Sequence, residues 1–223
     1  MIIGERKPLA ELVAMARPHR RIVLAGCATC VAECAAGGER EVAALAPALH
    51  LALAKEGIDI TIVPTTLERQ CEWEFVEALA PLLEGADAFM SMACGIGVQA
   101  VAERFPAVKV YPAVNTTFLG LREELGVWAV RCAACGDCVL DRTGGICPVA
   151  RCSKSLMNGP CGGTTKEGRC EVSPGIACAW AQIVEKAEAL GELERLVEIV
   201  KPKDWRPGGH GGPRRIVRED LKP

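Results

Sequence analysis

RIVLAGCATCVAEC, residues 21–34, opens as a short apolar run that ends in glycine and passes at once into three cysteines. The run reads as a β-strand, and Cys27, Cys30 and Cys34 fall in the turn that follows it. Downstream the pattern alternates. Glu39 to Glu56 has Val42, Leu45, Leu49 and Leu53 at helical spacing, with Gly57 as a stop and Pro47 as a bend or a later true start. Ile58 to Val63 is β-branched and alternating, a second strand. A helix over Glu72–Leu83, a strand over Ala86–Met92, a helix over Val98–Phe105 and a strand over Val108–Ala113 complete the series. Such alternation predicts βαβ units with right-handed crossovers and a parallel sheet. The fold expectation is α/β: a small parallel sheet, a cysteine-rich metal-cluster module, and a C-terminal helical segment with an extended tail. The expected divisions are 1–128, 129–180 and 181–223.

Thirteen cysteines fall in two blocks. In the first, Cys27, Cys30 and Cys34 follow the first strand, Cys71 follows the second, and Cys94 follows the third. All five therefore map to the carboxyl edge of a parallel sheet, where ligands bind in open α/β folds. Structural cysteines would instead be scattered through strand interiors and helix faces. A cubane cluster takes four ligands, so one of the five is spare or supports the others. Gly95-x-Gly97-x-x-Ala100 resembles a dinucleotide fingerprint, which makes Gly95 and Gly97 candidate cofactor-binding residues. No acidic residue ends the next strand as a ribose partner would. A helix starting beside Cys94 would turn its positive end on an anionic cluster as readily as on a phosphate.

The second block holds Cys132, Cys135, Cys138, Cys147, Cys152, Cys161, Cys170 and Cys178. Its first three form Cys-x-x-Cys-x-x-Cys, a spacing that aims three thiolates at one centre. Gly, Pro, Asn and Asp dominate between the cysteines, so bound metal must supply much of the folding energy. Eight cysteines suit two [4Fe–4S] clusters. Cys147-Pro148 resembles the close of a bacterial ferredoxin motif, but the distance from Cys138 is wrong for that run. Two Cys₄ zinc sites, or one zinc and one cluster, fit the same residues, and no His lies in the block to make mixed zinc sites.

Composition narrows the classes. Lys+Arg is 26 and Asp+Glu 28, a net charge of −2, and aromatics are 4%. Neither an electrostatic footprint for nucleic acid nor a stacking platform is expected. MIIGERKPLAELVAMARPHRR has no long apolar core or small-residue cleavage site, and no apolar run reaches a membrane span, so no membrane insertion is expected. The odd cysteine count and this context argue for a reducing, cytoplasmic setting over disulfides. His19, His50 and His210 flank no nucleophile or carboxylate pair and read as surface residues. Lys201 to Pro223 is rich in Pro, Gly and charge and reads as a free tail or as an arm that orders on a partner. No catalytic constellation stands out.

Several stretches resemble a known family. GCATCVAECAAGGE (26–39), ERQCEWEF (68–75), SMACGIGVQ (91–99), YPAVNTTF (111–118), CAACGDCVL (132–140), GGICPVARCSKSLMNGPCGG (144–163) and CAW (178–180) are similar to the small subunit of two-component methylenetetrahydrofolate reductases of acetogenic bacteria. The resemblance spans about residues 20–205, and all thirteen cysteines fit it as metal ligands. It implies a non-catalytic subunit carrying up to three [4Fe–4S] clusters, or zinc in place of one or more. It implies a flavin-containing catalytic partner with FMN or FAD, which reduces 5,10-methylenetetrahydrofolate to 5-methyltetrahydrofolate in the reductive acetyl-CoA (Wood–Ljungdahl) pathway. Further electron-transfer subunits are compatible with it. Two functions follow as expectations: an electron-transfer subunit, or a structural zinc module that docks and shapes the flavin subunit.

Overall fold

The computed structural model describes residues 1–209 and 212–222. The expectation for His210 lies outside the described residues. The chain forms two compact units, residues 1–129 and 130–223.

The first unit runs β1 (Ile2–Arg6), α1 (Leu9–Ala16), β2 (Arg21–Cys27), α2 (Cys30–Glu33), α3 (Glu39–Lys55), β3 (Thr61–Leu67), α4 (Trp73–Glu77), α5 (Ala80–Leu83), β4 (Ala88–Ser91), α6 (Gly95–Arg104), β5 (Lys109–Pro112) and β6 (Val114–Glu124), with β7 (Val127–Cys132) ending just beyond it. Four strands form a parallel sheet in the order β3-β2-β4-β5. This is the expected α/β sheet. Chain order reverses direction between β2 and β4, which makes that junction the switch point at which such sheets open a crevice.

The central strand β2 explains why its sequence is apolar throughout. Ile22 and Leu24 face one core with Leu49 and Leu53 of α3, Leu12 of α1, and Met90. Val23 and Ala25 face the other with Val76, Leu79, Phe89 and Val101. A strand buried on both faces loses the inside/outside alternation and reads as a continuous run.

Several element boundaries differ from expectation, each for a physical reason. β3 begins at Thr61 and continues to Leu67, because Arg21 to Cys27 pairs residue for residue with Thr61 to Leu67. Pro64 is tolerated inside it because β3 is an edge strand. The helix expected over 72–83 is two short ones, and Pro81 lies in the first turn of the second, where its missing N–H costs nothing. α3 runs through Pro47 from a start fixed by Glu41, whose carboxylate accepts the Gly38 N–H at 2.8 Å. α6 begins at Gly95, three residues earlier than its apolar pattern suggests. A second sheet, β1-β6-β7, was not expected. β1 pairs antiparallel with β6 across more than a hundred residues of sequence, and Gly4 interrupts its pattern with a register shift. His19, read as a surface residue, is half-buried, with Nε2 3.0 Å from the Tyr111 hydroxyl; His50 is exposed.

The second unit has little regular structure: α7 (Pro148–Arg151), α8 (Ala179–Leu190) and short 3₁₀ turns. Trp180, Ile183, Ala187 and Val149 are its main buried apolar side chains. Leu190, one turn beyond Ala187, is 51% exposed. Gly191 ends α8 in the left-handed conformation, and only a 3₁₀ turn over Leu193–Val197 follows in that segment. Among the described residues, no helix is long and apolar enough to cross a membrane.

Asp87 ties the start of β2 to the approach to β4. Its Oδ2 accepts the backbone N–H groups of Arg21 at 2.8 Å and Arg20 at 2.7 Å, and these bonds hold its carboxyl below the ordinary value of 3.8. Its contribution is complete above that unfolded-state value and is lost as pH falls through the lowered folded-state value. Asp87→Asn is expected to lower the melting temperature at neutral pH and to flatten the fall in melting temperature below pH about 4. Thermal melts by circular dichroism across pH 2–7 check this; an unchanged acid limb would remove Asp87 from that role.

Candidate metal centres

The parallel sheet delivers three cysteines to one edge. Cys27 is the last residue of β2, Cys71 lies four residues beyond β3, and Cys94 caps the N-terminus of α6 three residues beyond β4. Burial pushes the Cys71 thiol up although its surface reaches solvent, and the nearby Cys27 adds to the effect, with Cys94 a weaker contributor. These thiols are close enough to feel one another's charge. Cys30 opens α2 on the loop after Cys27 and is half-buried. Cys34 is placed differently. Its buried Sγ accepts the Gly4 N–H at 3.4 Å and lies 3.5 Å from the Gly4 carbonyl, so it faces β1.

Behind the edge lies Gln70, fully buried. Its Nε2 donates to the carbonyls of Ala25 at 3.0 Å and Gly26 at 2.9 Å, and its Oε1 accepts the Ser91 hydroxyl at 2.7 Å. The Ser91 Oγ in turn accepts the Ala93 N–H at 3.2 Å. Nothing in the residue pattern marks this network beyond a polar residue beside Cys71. Gly97 is accounted for by the same packing: a Cβ there would stand 2.7 Å from Gln70 Cβ and 2.8 Å from Ala93 Cβ. The Gly95 N–H is bonded to Thr116 Oγ1 at 2.8 Å. A larger cleft in this unit, ≈ 240 Å³ and lined by Leu9, Leu12, Leu45 and Met92 among others, contains no cysteine.

In the second unit four cysteines share one small cleft: Cys152, Cys161, Cys170 and Cys178, with Trp180 as an apolar wall. A tight antiparallel turn brings two of them together, through Cys170 N–H to Ile176 O at 3.1 Å and Cys178 N–H to Gly168 O at 2.8 Å. Trp180 Nε1 donates to Leu156 O at 2.9 Å, fixing the start of α8 against the loop after Cys152. Donors converge on the sulfurs. Thr164 Oγ1 donates to Cys178 Sγ at 3.0 Å, the Gly163 N–H lies 3.4 Å from Cys161 Sγ, and Ser153 Oγ lies 3.3 Å from Cys170 Sγ. The Ser153 hydroxyl, then the backbone N–H groups of Ser173 and Val172, hold the Cys170 thiol below its ordinary value. Lys154 pairs with Glu171, whose Oε1 lies 3.3 Å from Cys161 Sγ. Lys154 and then Cys161 hold the Glu171 carboxyl low.

This donor set fits a thiolate-bound centre. Soft sulfur ligands suit zinc or iron–sulfur clusters, and hydrogen bonds to the sulfurs stabilise the thiolate form. All thirteen cysteines are free. Among the described residues, no three Cys, His, Asp or Glu side chains already stand in ligating geometry, so loading requires the sulfurs to turn inward.

The remaining cysteines of this unit are Cys132 at the end of β7, Cys135 and Cys138 on the loop that follows, and Cys147, whose Sγ accepts the Ala150 N–H at 3.4 Å at the cap of α7. The loop is anchored from an unexpected side. The Lys203 side chain is 1% exposed, and its Nζ lies 2.6 Å from the Asp137 carbonyl and 3.2 Å from its carboxylate. Gly136, at φ +82°, leaves room for Pro207, which would stand 2.3 Å from a Cβ. Residues 203–207 therefore fold onto their own cysteine loop, which corrects the expectation of a free tail beginning at Lys201. Lys203→Ala is expected to lower the stability of the second unit by about 1–3 kcal/mol, through loss of a charge-assisted hydrogen bond made by a buried lysine side chain. The exposed Lys201→Ala serves as the control, with denaturant unfolding followed by tryptophan fluorescence. Equal stability of the two variants would mean that the anchor contributes nothing.

The family model described as methylene-tetrahydrofolate reductase C terminal matches residues 111–206. No curated protein and no solved structure matches the chain. The matched segment runs from β5 through every cysteine of the second block to the Lys203 anchor, and over that segment the chain is similar to this family model.

Proposed function

We propose that this chain is the iron–sulfur electron-transfer subunit of a methylenetetrahydrofolate reductase complex. In this reading it passes electrons to the FMN or FAD of a separate catalytic subunit, which reduces 5,10-methylenetetrahydrofolate to 5-methyltetrahydrofolate. One observation carries the reading: the four-cysteine cleft falls wholly inside the segment related to these reductases. The second unit has few buried apolar side chains, so a bound centre has folding work to do as well as chemistry. An iron–sulfur cluster supplies one-electron transfer at potentials that reach those of flavins. The chain's residues supply the rest. Cys152, Cys161, Cys170 and Cys178 hold one centre. Thr164, Ser153 and the Gly163 N–H bond to the sulfurs, Arg151 puts positive charge at the cleft, and Lys154 offsets the Glu171 carboxylate beside Cys161. Cys132, Cys135, Cys138 and Cys147 are left for a second, and four of the five cysteines of the first unit for a third.

A structural zinc module that docks and shapes the flavin subunit is the second reading. The cleft has room for about one water-sized sphere, ≈ 20 Å³, which suits a single ion better than a cubane. Cys₄ is also an ordinary zinc site. Metal analysis and a visible spectrum of the anaerobically purified chain separate the two. The electron-transfer reading expects about twelve irons per chain and a broad visible band that bleaches on reduction. It expects no folate turnover by the chain alone, and activity when the flavin subunit and a donor are added. Stoichiometric zinc with iron near zero would overturn it in favour of the second.

A further inference from the structure

We propose that Cys27, Cys30, Cys71 and Cys94 form one four-thiolate metal site, that Cys34 is excluded from it, and that Gln70 is the residue that positions it. The inference rests on the metal–thiolate part of the proposed function and is independent of electron transfer.

The geometry of the Gln70 network carries it. Gln70 immediately precedes Cys71. The carbonyl that its Nε2 reaches at 2.9 Å belongs to Gly26, which immediately precedes Cys27. The N–H that Ser91 relays to its Oε1 belongs to Ala93, which immediately precedes Cys94. One buried carboxamide thus fixes the residue before each of three cysteines that arrive from three different strands. A carboxamide buried without partners is costly, so these bonds hold the three segments in one arrangement. Gly97 closes against Gln70 from α6, where no side chain would fit. The site lies at the β2/β4 switch point of the sheet.

The fourth ligand follows from placement. Cys30 and Cys34 share the loop and short helix after β2. Cys34 is directed into β1, where its sulfur lies against the Gly4 N–H and carbonyl and 3.6 Å from the Val31 carbonyl. To reach the edge it would have to leave that core. Cys30 stands at the start of α2 on the same loop as Cys27 and is half-buried. Spacing alone lets either cysteine serve; the contacts of Cys34 with β1 decide between them.

The full chain as purified tests ligand identity by metal content. Cys34→Ala should keep the wild-type complement, and Cys94→Ser should lose one centre, about four irons for a cubane or one zinc. Cadmium-reconstituted full chain, titrated with EDTA and followed by its thiolate charge-transfer absorbance, tests Gln70. Gln70→Leu should release the first-unit cadmium at about 10–100-fold lower EDTA than wild type. Cadmium bound by the second block serves as the internal reference and should not move. Ser91→Ala, which cuts only the link to Ala93, should shift in the same direction if Gln70→Leu fails to fold. Loss of metal in Cys34→Ala equal to that in Cys94→Ser would overturn the proposal. So would a full complement in Cys94→Ser, EDTA midpoints unmoved in the Gln70 and Ser91 variants, or wild-type protein that takes up no thiolate-bound metal. A chain that carries full metal but fails to reduce the flavin subunit would sink the electron-transfer reading and leave this one standing.

Discussion

A primary carboxamide placed in an apolar interior must find partners for two donors and an acceptor. Gln70 finds them in the backbone of β2 and the hydroxyl of Ser91 at the end of β4. Much of the first unit is arranged so that this is possible. β2 and β4 are direct neighbours, the loop after β3 crosses over their ends, and Gly97 lets α6 begin close behind. The hydrophobic layers on both faces give the sheet its stability, but they are indifferent to how its carboxyl edge is finished. Directional bonds finish it, because they tolerate only one alignment of the three loops.

The second unit answers the same problem with other means. Its buried apolar side chains are few, and short turns replace strands. Hydrogen bonds to sulfur, the Trp180 indole bond to Leu156, and the Lys203 anchor on Asp137 locate its cysteines one by one. The two units therefore present cysteine in different mechanical settings: one on a rigid sheet edge, the other in loops held at their corners. A sheet edge of this kind exists whether or not metal is bound, whereas loops so short of core depend on what they bind.

The parallel sheet was legible because β2 and β4 are buried on both faces, so their runs stand out from the polar helices' outer faces. The grouping of Cys27, Cys71 and Cys94 was legible for the same reason, since strand ends converge in any such sheet. The β1-β6-β7 sheet was not. Its pairing joins residues more than a hundred apart, and Gly4 breaks the period of its first strand. Nor could spacing distinguish Cys30 from Cys34, because what separates them is the contact of the Cys34 sulfur with Gly4 of β1, a segment thirty residues away. Gln70, Ser153, Thr164 and Lys203 were invisible for a different reason. Each acts through a hydrogen bond to a distant segment, and such bonds leave no periodic mark. Lys203 in particular lies in a stretch of Pro, Gly and charge that has the composition of a free end.

That anchor has a consequence for how the molecule is made. The loop of Cys132, Cys135 and Cys138 is held by Lys203 on Asp137 and by Pro207 over Gly136. Those residues are translated some seventy positions later. The nascent chain therefore exposes three thiols in an unfinished loop until residues 203–207 leave the ribosome. The first unit, by contrast, has every strand of its parallel sheet in hand by Pro112. Synthesis thus imposes a sequence on assembly, with the sheet-edge cysteines arranged while the later loop still waits for its closing residue.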